Sequence, residues 1–241
     1  MKISIVIPAF NEERLLGETL SRVQAARMTF AMAGCESELI VCDNNSTDHT
    51  AEIARAGGAT VVFEPINQIA RARNRGAAAA SGDWLLFIDA DSHPSAELFG
   101  DVVEQIKSGK CLAGGSTVHL EAGYPKANFI TGLWNFASRW RRLLAGSFIF
   151  CEAAAFRKVG GFSNELFAGE ELDLSERLKK LARETGRELV ILHRHPLLTS
   201  ARKLRLYSTR ELLGFFLRAA FNQKKVLTNR EACHPWYDGR R

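Results

Sequence analysis

Two carboxylates, Asp89 and Asp91, stand one residue apart directly after five apolar residues, WLLFI. Beyond the end of a strand, that spacing lets both reach one hard cation from a turn. Mg²⁺ or Mn²⁺ held by one or two carboxylates, with water and phosphate oxygens completing the shell, is the usual arrangement at phosphate sites. Two surface acids on a solvated loop would give the same string, so the spacing is a weak signal by itself. A second acid pair, Glu170-Glu171, opens a leucine-rich stretch of helical period. Adjacent acids raise each other's pKa, and both favour a helix N-terminus electrostatically. His193 and His195 stand at i and i+2 after a strand-like run, so they should point the same way. A surface pair in a basic segment accounts for them as simply as metal binding does.

Such groups need a frame. Residues 3–7 (ISIVI) and 39–42 (LIVC) read as buried strands, and 60–63 (TVVF) and 84–88 (WLLFI) as a third and a fourth strand. Between them lie helical stretches: one carrying Leu16, Leu20 and Val23 with Asn11 as N-cap, one over 49–56, and an Arg/Ala-rich one over 69–80. Residues 43–48 (DNNSTD) form the turn that caps the second. Alternation of this kind means βαβ units and a mostly parallel sheet, which binds ligands at the carboxyl ends of its strands. Asn11-Glu12, Asp43-Asn44 and Asp89-x-Asp91 all fall at such ends. The second half is less regular: strands at 113–120, 148–151 and 188–192, helices at 128–144, 153–159 and 170–185.

With 46% apolar and 24% charged residues, the chain can bury a large core. Its five cysteines are odd in number and scattered, which suits reduced thiols in the cytoplasm better than disulfides or zinc. MKISIVIPAFNEE reaches Pro8 and acids too soon for a signal peptide, and Arg139, Arg141 and Arg142 interrupt the most apolar long stretch. Residues 187–241 hold 12 Lys/Arg against 4 Asp/Glu, leaving the remainder slightly acidic. Within them Leu212, Leu213, Phe216, Leu217, Ala220 and Phe221 share one helical stripe. The expected fold is α/β, one domain over 1–200 (1–92 nucleotide-binding, 93–200 acceptor-binding) with a basic helical extension over 201–241.

Four segments in order, SIVIPAFNEE (4–13), LIVCDNNSTDHT (39–50), ARNRGAAAASGDWLLFIDADS (72–92) and FRKVGGFSNELFAGEELDLSERL (156–178), resemble the family 2 glycosyltransferases of GT-A fold. That resemblance implies roles. Pro8, Ala9 and Glu12 would line the nucleotide pocket and Asp43 would accept from the base imide. Arg73 and Asn74 would lie near ribose and diphosphate, Asp89 by the ribose or the metal's water shell, and Asp91 on the metal itself. Glu171, with Glu170 as second choice, would deprotonate an acceptor hydroxyl. A late histidine completes the metal shell in several such enzymes, which makes His195 a candidate. Thr199, Ser200, Arg202 and Lys203 could close over the diphosphate.

One motif departs. Where the family shows Asp-Asp-Gly-Ser, this chain has Asp43-Asn44-Asn45-Ser46. Asn45 can supply the left-handed backbone of the missing glycine, whereas the lost acid at Asn44 removes a ribose or base contact. No Gln-x-x-Arg-Trp signature of processive synthases is present, so one sugar per encounter is expected. The resemblance thus implies Mn²⁺- or Mg²⁺-dependent, inverting transfer from a nucleoside-diphosphate sugar to a sugar hydroxyl or lipid-phosphate acceptor. A sugar nucleotidyltransferase or a non-catalytic sugar-nucleotide-binding module are the alternatives. Nucleic acid is not an expected partner. A homodimer and a peripheral contact of the basic segment with an anionic membrane, at its inner face, stay open.

Overall fold

Ile3, Ile5 and Ile7 face one side of the first strand and Val6 the other, and all four are fully buried. A strand with no polar face needs cover on both sides, and helices supply it. The computed structural model describes residues 1–120, 125–200 and 226–233, with backbone alone over 125–130.

Eight strands make one sheet: β1 (Lys2–Ala9), β2 (Glu36–Asp43), β3 (Thr60–Phe63), β4 (Trp84–Ile88), β5 (Ser92–His93), β6 (Cys111–Leu120), β7 (Phe148–Glu152) and β8 (Glu188–Thr199), in the order β3-β2-β1-β4-β7-β6-β8-β5. β1 to β4 pair in parallel, as expected. β7 runs antiparallel between β4 and β6, which makes the second half mixed.

The helices are α1 (Leu16–Met32), α2 (Thr50–Ala56), α3 (Ile69–Ala79), α4 (Ala96–Lys107), α5 (Pro125–Arg141), α6 (Ala153–Lys158) and α7 (Glu170–Glu184). Apolar side chains of α1, α2 and α4 cover one face of the sheet, where Phe30 stacks on Phe99 with ring centroids 4.6 Å apart. Those of α3, α6 and α7 cover the other. Glycine is needed where α3 meets β1: a Cβ on Gly76 would lie 2.4 Å from Val6 Cγ1.

Several expectations need correction. Asn11 does not cap α1, which starts five residues later after Leu15 and has no side-chain cap. Asn11 is instead left-handed (φ 52) and takes the Thr47 N–H on its Oδ1 at 2.8 Å. α4 went unread in the sequence, although Ser95 caps it by accepting from Leu98 N at 3.2 Å. β8 does not stop at Leu192. Its pairing with β6 breaks over residues 193–196 and resumes at Leu197, which ends the simple alternation expected of His193 and His195. The stripe over 209–222, with Arg202, Lys203, Trp236 and Tyr237, lies outside the described residues. Residues 226–233 return to the domain: Val226 and Cys233 pack on Ala168, and Phe167 N donates to Leu227 O at 2.7 Å.

Candidate active site

The carboxyl ends of β1 and β2 are tied together by short polar side chains. Asp43 accepts from Ser46 N through Oδ1 at 3.0 Å, a local turn that orients the buried carboxylate. Asn11 N donates to Ser46 Oγ at 3.0 Å, and Glu12 N to Thr50 Oγ1 at 2.8 Å, which ties the buried Glu12 to the start of α2. Pro8 and Ala9 lie beside Cys42 and Asp43 in the β1–β2 register. Asn45 is left-handed (φ 65), as the turn requires. Asn44 has a different use from the acid it replaces. Its amide donates to Glu64 O at 3.2 Å and Ile66 O at 2.7 Å, and its Oδ1 accepts from Gln68 N at 2.9 Å. A carboxylate could make only the last of these.

Arg73 joins the two acid motifs. On α3 it is 1% exposed, against the ordinary habit of arginine. Its Nη1 donates to Glu170 Oε1 at 2.6 Å, and its Nη2 to Asp89 Oδ1 and Gly146 O, each at 2.9 Å. Phe162 closes over the guanidinium, 5.2 Å from its centroid. Burial disfavours the charge, but Asp89, Glu170 and Glu171 outweigh it, so the Arg73 pKa lies above its ordinary value. Residues 97 apart in sequence become one ionic unit.

Glu171 adjoins that unit in the first turn of α7, which Gly169 opens in a left-handed conformation (φ 73). It is half-buried beside Gly146: a Cβ there would lie 3.2 Å from Arg73 Nη2 and 3.5 Å from Glu171 Cδ. Burial, then the Glu170 charge, push the Glu171 carboxyl up to about 8, with Arg73 opposing. Ser175 fixes the neighbouring loop. Its Oγ donates to Glu171 O at 2.7 Å and accepts from Leu144 N at 3.0 Å. Ser175 and Gly146 were not singled out from the sequence. The i, i+4 spacing of Ser175 from Glu171 was legible there, while nothing local marked Gly146.

Asp89 is part-exposed at the end of β4, and Asp91 follows on the same turn. Ser200 N donates to Asp91 O at 3.1 Å, which brings the end of β8 beside this turn. Asn74 holds the backbone N–H and C=O of Phe162 through its amide and donates to Asn164 Oδ1 at 3.0 Å. The structure does not bring His195 to Asp89 and Asp91. Its Nδ1 lies 3.1 Å from Asp101 Oδ2 on α4, and Arg194 bonds the same Asp101. Among the described residues, no group of three or more His, Cys, Asp or Glu side chains is placed to hold a metal.

The glycosyl transferase family 2 model matches residues 4–162. The chain belongs to that family. Dolichol-phosphate mannosyltransferase of Pyrococcus furiosus is 29% identical over 167 residues, covering 66% of this chain and 42% of that protein. Undecaprenyl-phosphate 4-deoxy-4-formamido-L-arabinose transferase of Pseudomonas aeruginosa is 32% identical over 124 residues, covering 46% of this chain and 34% of that protein. The chain therefore spans less than half the length of these curated relatives. Among solved structures, Staphylococcus aureus TarS 1-349 matches with TM-score 0.64 at 21% identity, covering 93% of this chain and 68% of that one. Glucosyl-3-phosphoglycerate synthase from Mycobacterium tuberculosis, in complex with Mn²⁺, uridine diphosphate and phosphoglyceric acid, matches with TM-score 0.63 at 21% identity, covering 96% and 78%. Both share the α/β GT-A fold with this glycosyltransferase chain, whose acid pair at Glu170-Glu171 lies beyond the span that the family model covers.

Proposed function

We propose that the protein moves one sugar from a nucleoside-diphosphate sugar to an acceptor, with a divalent cation and with inversion at the transferred carbon. One observation carries the reading: buried Arg73 bonds Asp89 on one side and Glu170 on the other, with Glu171 alongside. A donor's diphosphate and an acceptor's nucleophile must meet within bonding distance, and this bridge couples the acids suited to each.

The donor set fits a hard cation. Asp89 and Asp91 offer carboxylate oxygens on one turn, no soft ligand stands in the set, and two protein ligands leave room for phosphate oxygens and water. A bound Mn²⁺ or Mg²⁺ would offset the charge of the departing nucleoside diphosphate. Asp43, steadied by Ser46 N–H, would accept from the base imide, and Glu12 would lie by the ribose. Pro8 and Ala9 would line the pocket. The synthase structure with Mn²⁺ and uridine diphosphate supports a uridine donor. Glu171 would take the proton of an acceptor hydroxyl during attack, a role its raised pKa suits near neutrality. Inversion follows from a single in-line displacement assisted by one base.

Relatives named for dolichol-phosphate and undecaprenyl-phosphate support a lipid-phosphate acceptor. A phosphate oxyanion arrives without a proton to lose, so dependence on Glu171 distinguishes the two acceptor classes. Among the described residues no helix is long and apolar enough to cross a membrane. The proposed location is cytoplasmic, peripheral at the inner face of the membrane. The test is release of UDP from UDP-sugars with Mn²⁺, with EDTA as control and the product anomer read by NMR. Turnover that is indifferent to EDTA would refute the metal reading, and a product of retained configuration would refute inversion.

A further inference from the structure

Over residues 131–141, helix α5 turns polar side chains inward and apolar ones out. Asn135 faces β6, with Nδ2 donating to Val118 O at 2.8 Å and Oδ1 accepting from Val118 N at 3.0 Å. Ser138 is 1% exposed and donates to Leu143 O at 2.6 Å. Leu133, Phe136 and Trp140, by contrast, are 58%, 71% and 77% exposed. At 3.6 residues per turn these three lie within an arc of about 60°, on the side opposite Asn135 and Ser138. The same geometry puts exposed Arg139 on one flank of the arc and exposed Arg141 on the other.

Next to Trp140 a cleft of about 380 Å³ opens between the end of α5, the outer side of α7 and the start of β8. Its walls carry five cations, Arg141, Arg142, Lys179, Arg183 and Arg187, against two acids. Both acids are engaged, Glu188 by Arg142 and Glu176 by Lys179, each at 2.8 Å. Arg187 pairs with Glu152. Arg141 and Arg183 have no ion pair among the described residues.

We infer that this face docks the protein on an anionic lipid bilayer. Leu133, Phe136 and Trp140 enter the headgroup boundary, and the flanking arginines meet lipid phosphates. An interfacial helix needs those two components on one outward surface: apolar side chains, one of them an amphipathic aromatic, and cations to hold anionic headgroups. A second copy of the chain suits the face poorly. A two-fold contact through it would bring the arginines of both copies together, and like charges across an interface oppose association. Charge complementarity therefore selects the lipid surface.

The inference stands apart from the catalytic reading. The cleft runs along α7, whose first turn carries Glu171, and Arg183 lies roughly 18 Å further along the same helix at 1.5 Å per residue. The loop after Trp140 leads within a few residues to Gly146, whose carbonyl holds Arg73.

The experiment is sedimentation of the full chain with vesicles of phosphatidylcholine alone and of phosphatidylcholine with phosphatidylglycerol, at low and high salt. Wild type should bind the phosphatidylglycerol vesicles at low salt and lose binding as salt rises. Phe136→Ser with Trp140→Ser should lower partitioning by about tenfold or more, since two aromatic side chains no longer leave water. Arg141→Gln with Arg183→Gln should weaken binding and flatten its salt dependence. All four residues are at the surface, so an unchanged melting temperature verifies folding of each variant. Sedimentation needs no sugar donor, so its outcome is separate from that of any turnover assay. Absence of binding at low salt, or partitioning of the Phe136/Trp140 variant equal to wild type, would overturn the inference. So would a wild-type dimer that this variant converts to monomer, which would assign the face to a second copy.

Discussion

Glu171→Gln should make the protein more stable and nearly inactive at once. The Glu171 carboxyl is raised from its ordinary 4.5 to about 8, mainly by burial, then by the Glu170 charge, with Arg73 opposing. The folded state therefore keeps a proton that the unfolded chain has already released. Across pH 4.5 to about 8 the native state binds more protons, so wild-type stability falls as pH rises through that window. Each pH unit within it is worth about 1.4 kcal/mol, so the full loss is on the order of 5 kcal/mol. Glutamine has the shape of the protonated acid and does not titrate. Thermal unfolding without metal or donor should show wild type and variant close together near pH 5. At pH 9 the variant should melt higher by on the order of 10 °C. Turnover onto a hydroxyl acceptor should move the other way, with kcat about 10²–10⁴-fold lower and donor affinity little changed. The wild-type rise of kcat/KM with pH, governed by the free enzyme's base, should disappear in the variant. A melting difference that is absent at pH 9, or equal at every pH, would refute the argument for a proton-holding Glu171. A Glu170→Gln variant gives the contrast: it removes the negative charge that Arg73 meets at 2.6 Å and should destabilise.

Arg73→Met should cost about 3–5 kcal/mol in urea unfolding, because it leaves Asp89 and buried Glu170 without their cation. Adding Glu170→Gln to it should recover part of that loss, and strict additivity of the two changes would argue against a shared ionic unit. Asp91→Ala should abolish the Mn²⁺ dependence of UDP binding, read by calorimetry; retained dependence would exclude Asp91 as ligand. Asn44→Asp should destabilise by about 1–3 kcal/mol, since the carbonyls of Glu64 and Ile66 lose their donor. An Asn44→Asp variant of unchanged stability would show that the amide is dispensable.

Much of the first half was legible in the residues alone. β1, β2 and β4 read as continuous apolar runs because they are buried, the short edge strand β3 reads as a β-branched run, and alternation with helices forces parallel pairing, so these strands and the polar clusters at their ends could be placed from local pattern. Turn chemistry was local too: Asn45 adopts the left-handed backbone anticipated for it. The second half was harder because its sheet order does not follow the chain. β7 inserts antiparallel between β4 and β6, and no periodicity announces that. α4 was legible as well, since Leu98, Phe99, Val102, Val103 and Ile106 recur at helical spacing behind the Ser95 cap.

Sequence determined which acids stand at strand and helix ends; only the tertiary structure decided which of them share a site. Arg73 reads as one more charge on an Arg/Ala helix, and its burial depends on Asp89, Gly146 and Glu170 arriving from three other segments. His195 reads as a metal candidate until α4 presents Asp101 to it. Residues 128–144 read as a partly amphipathic helix, yet the pattern could not say that its apolar stripe faces outward. Periodicity reports that a helix has two unlike faces. Which face is buried depends on what the neighbouring element offers, and Val118 of β6 offers backbone hydrogen bonds that only the polar face, through Asn135, can meet.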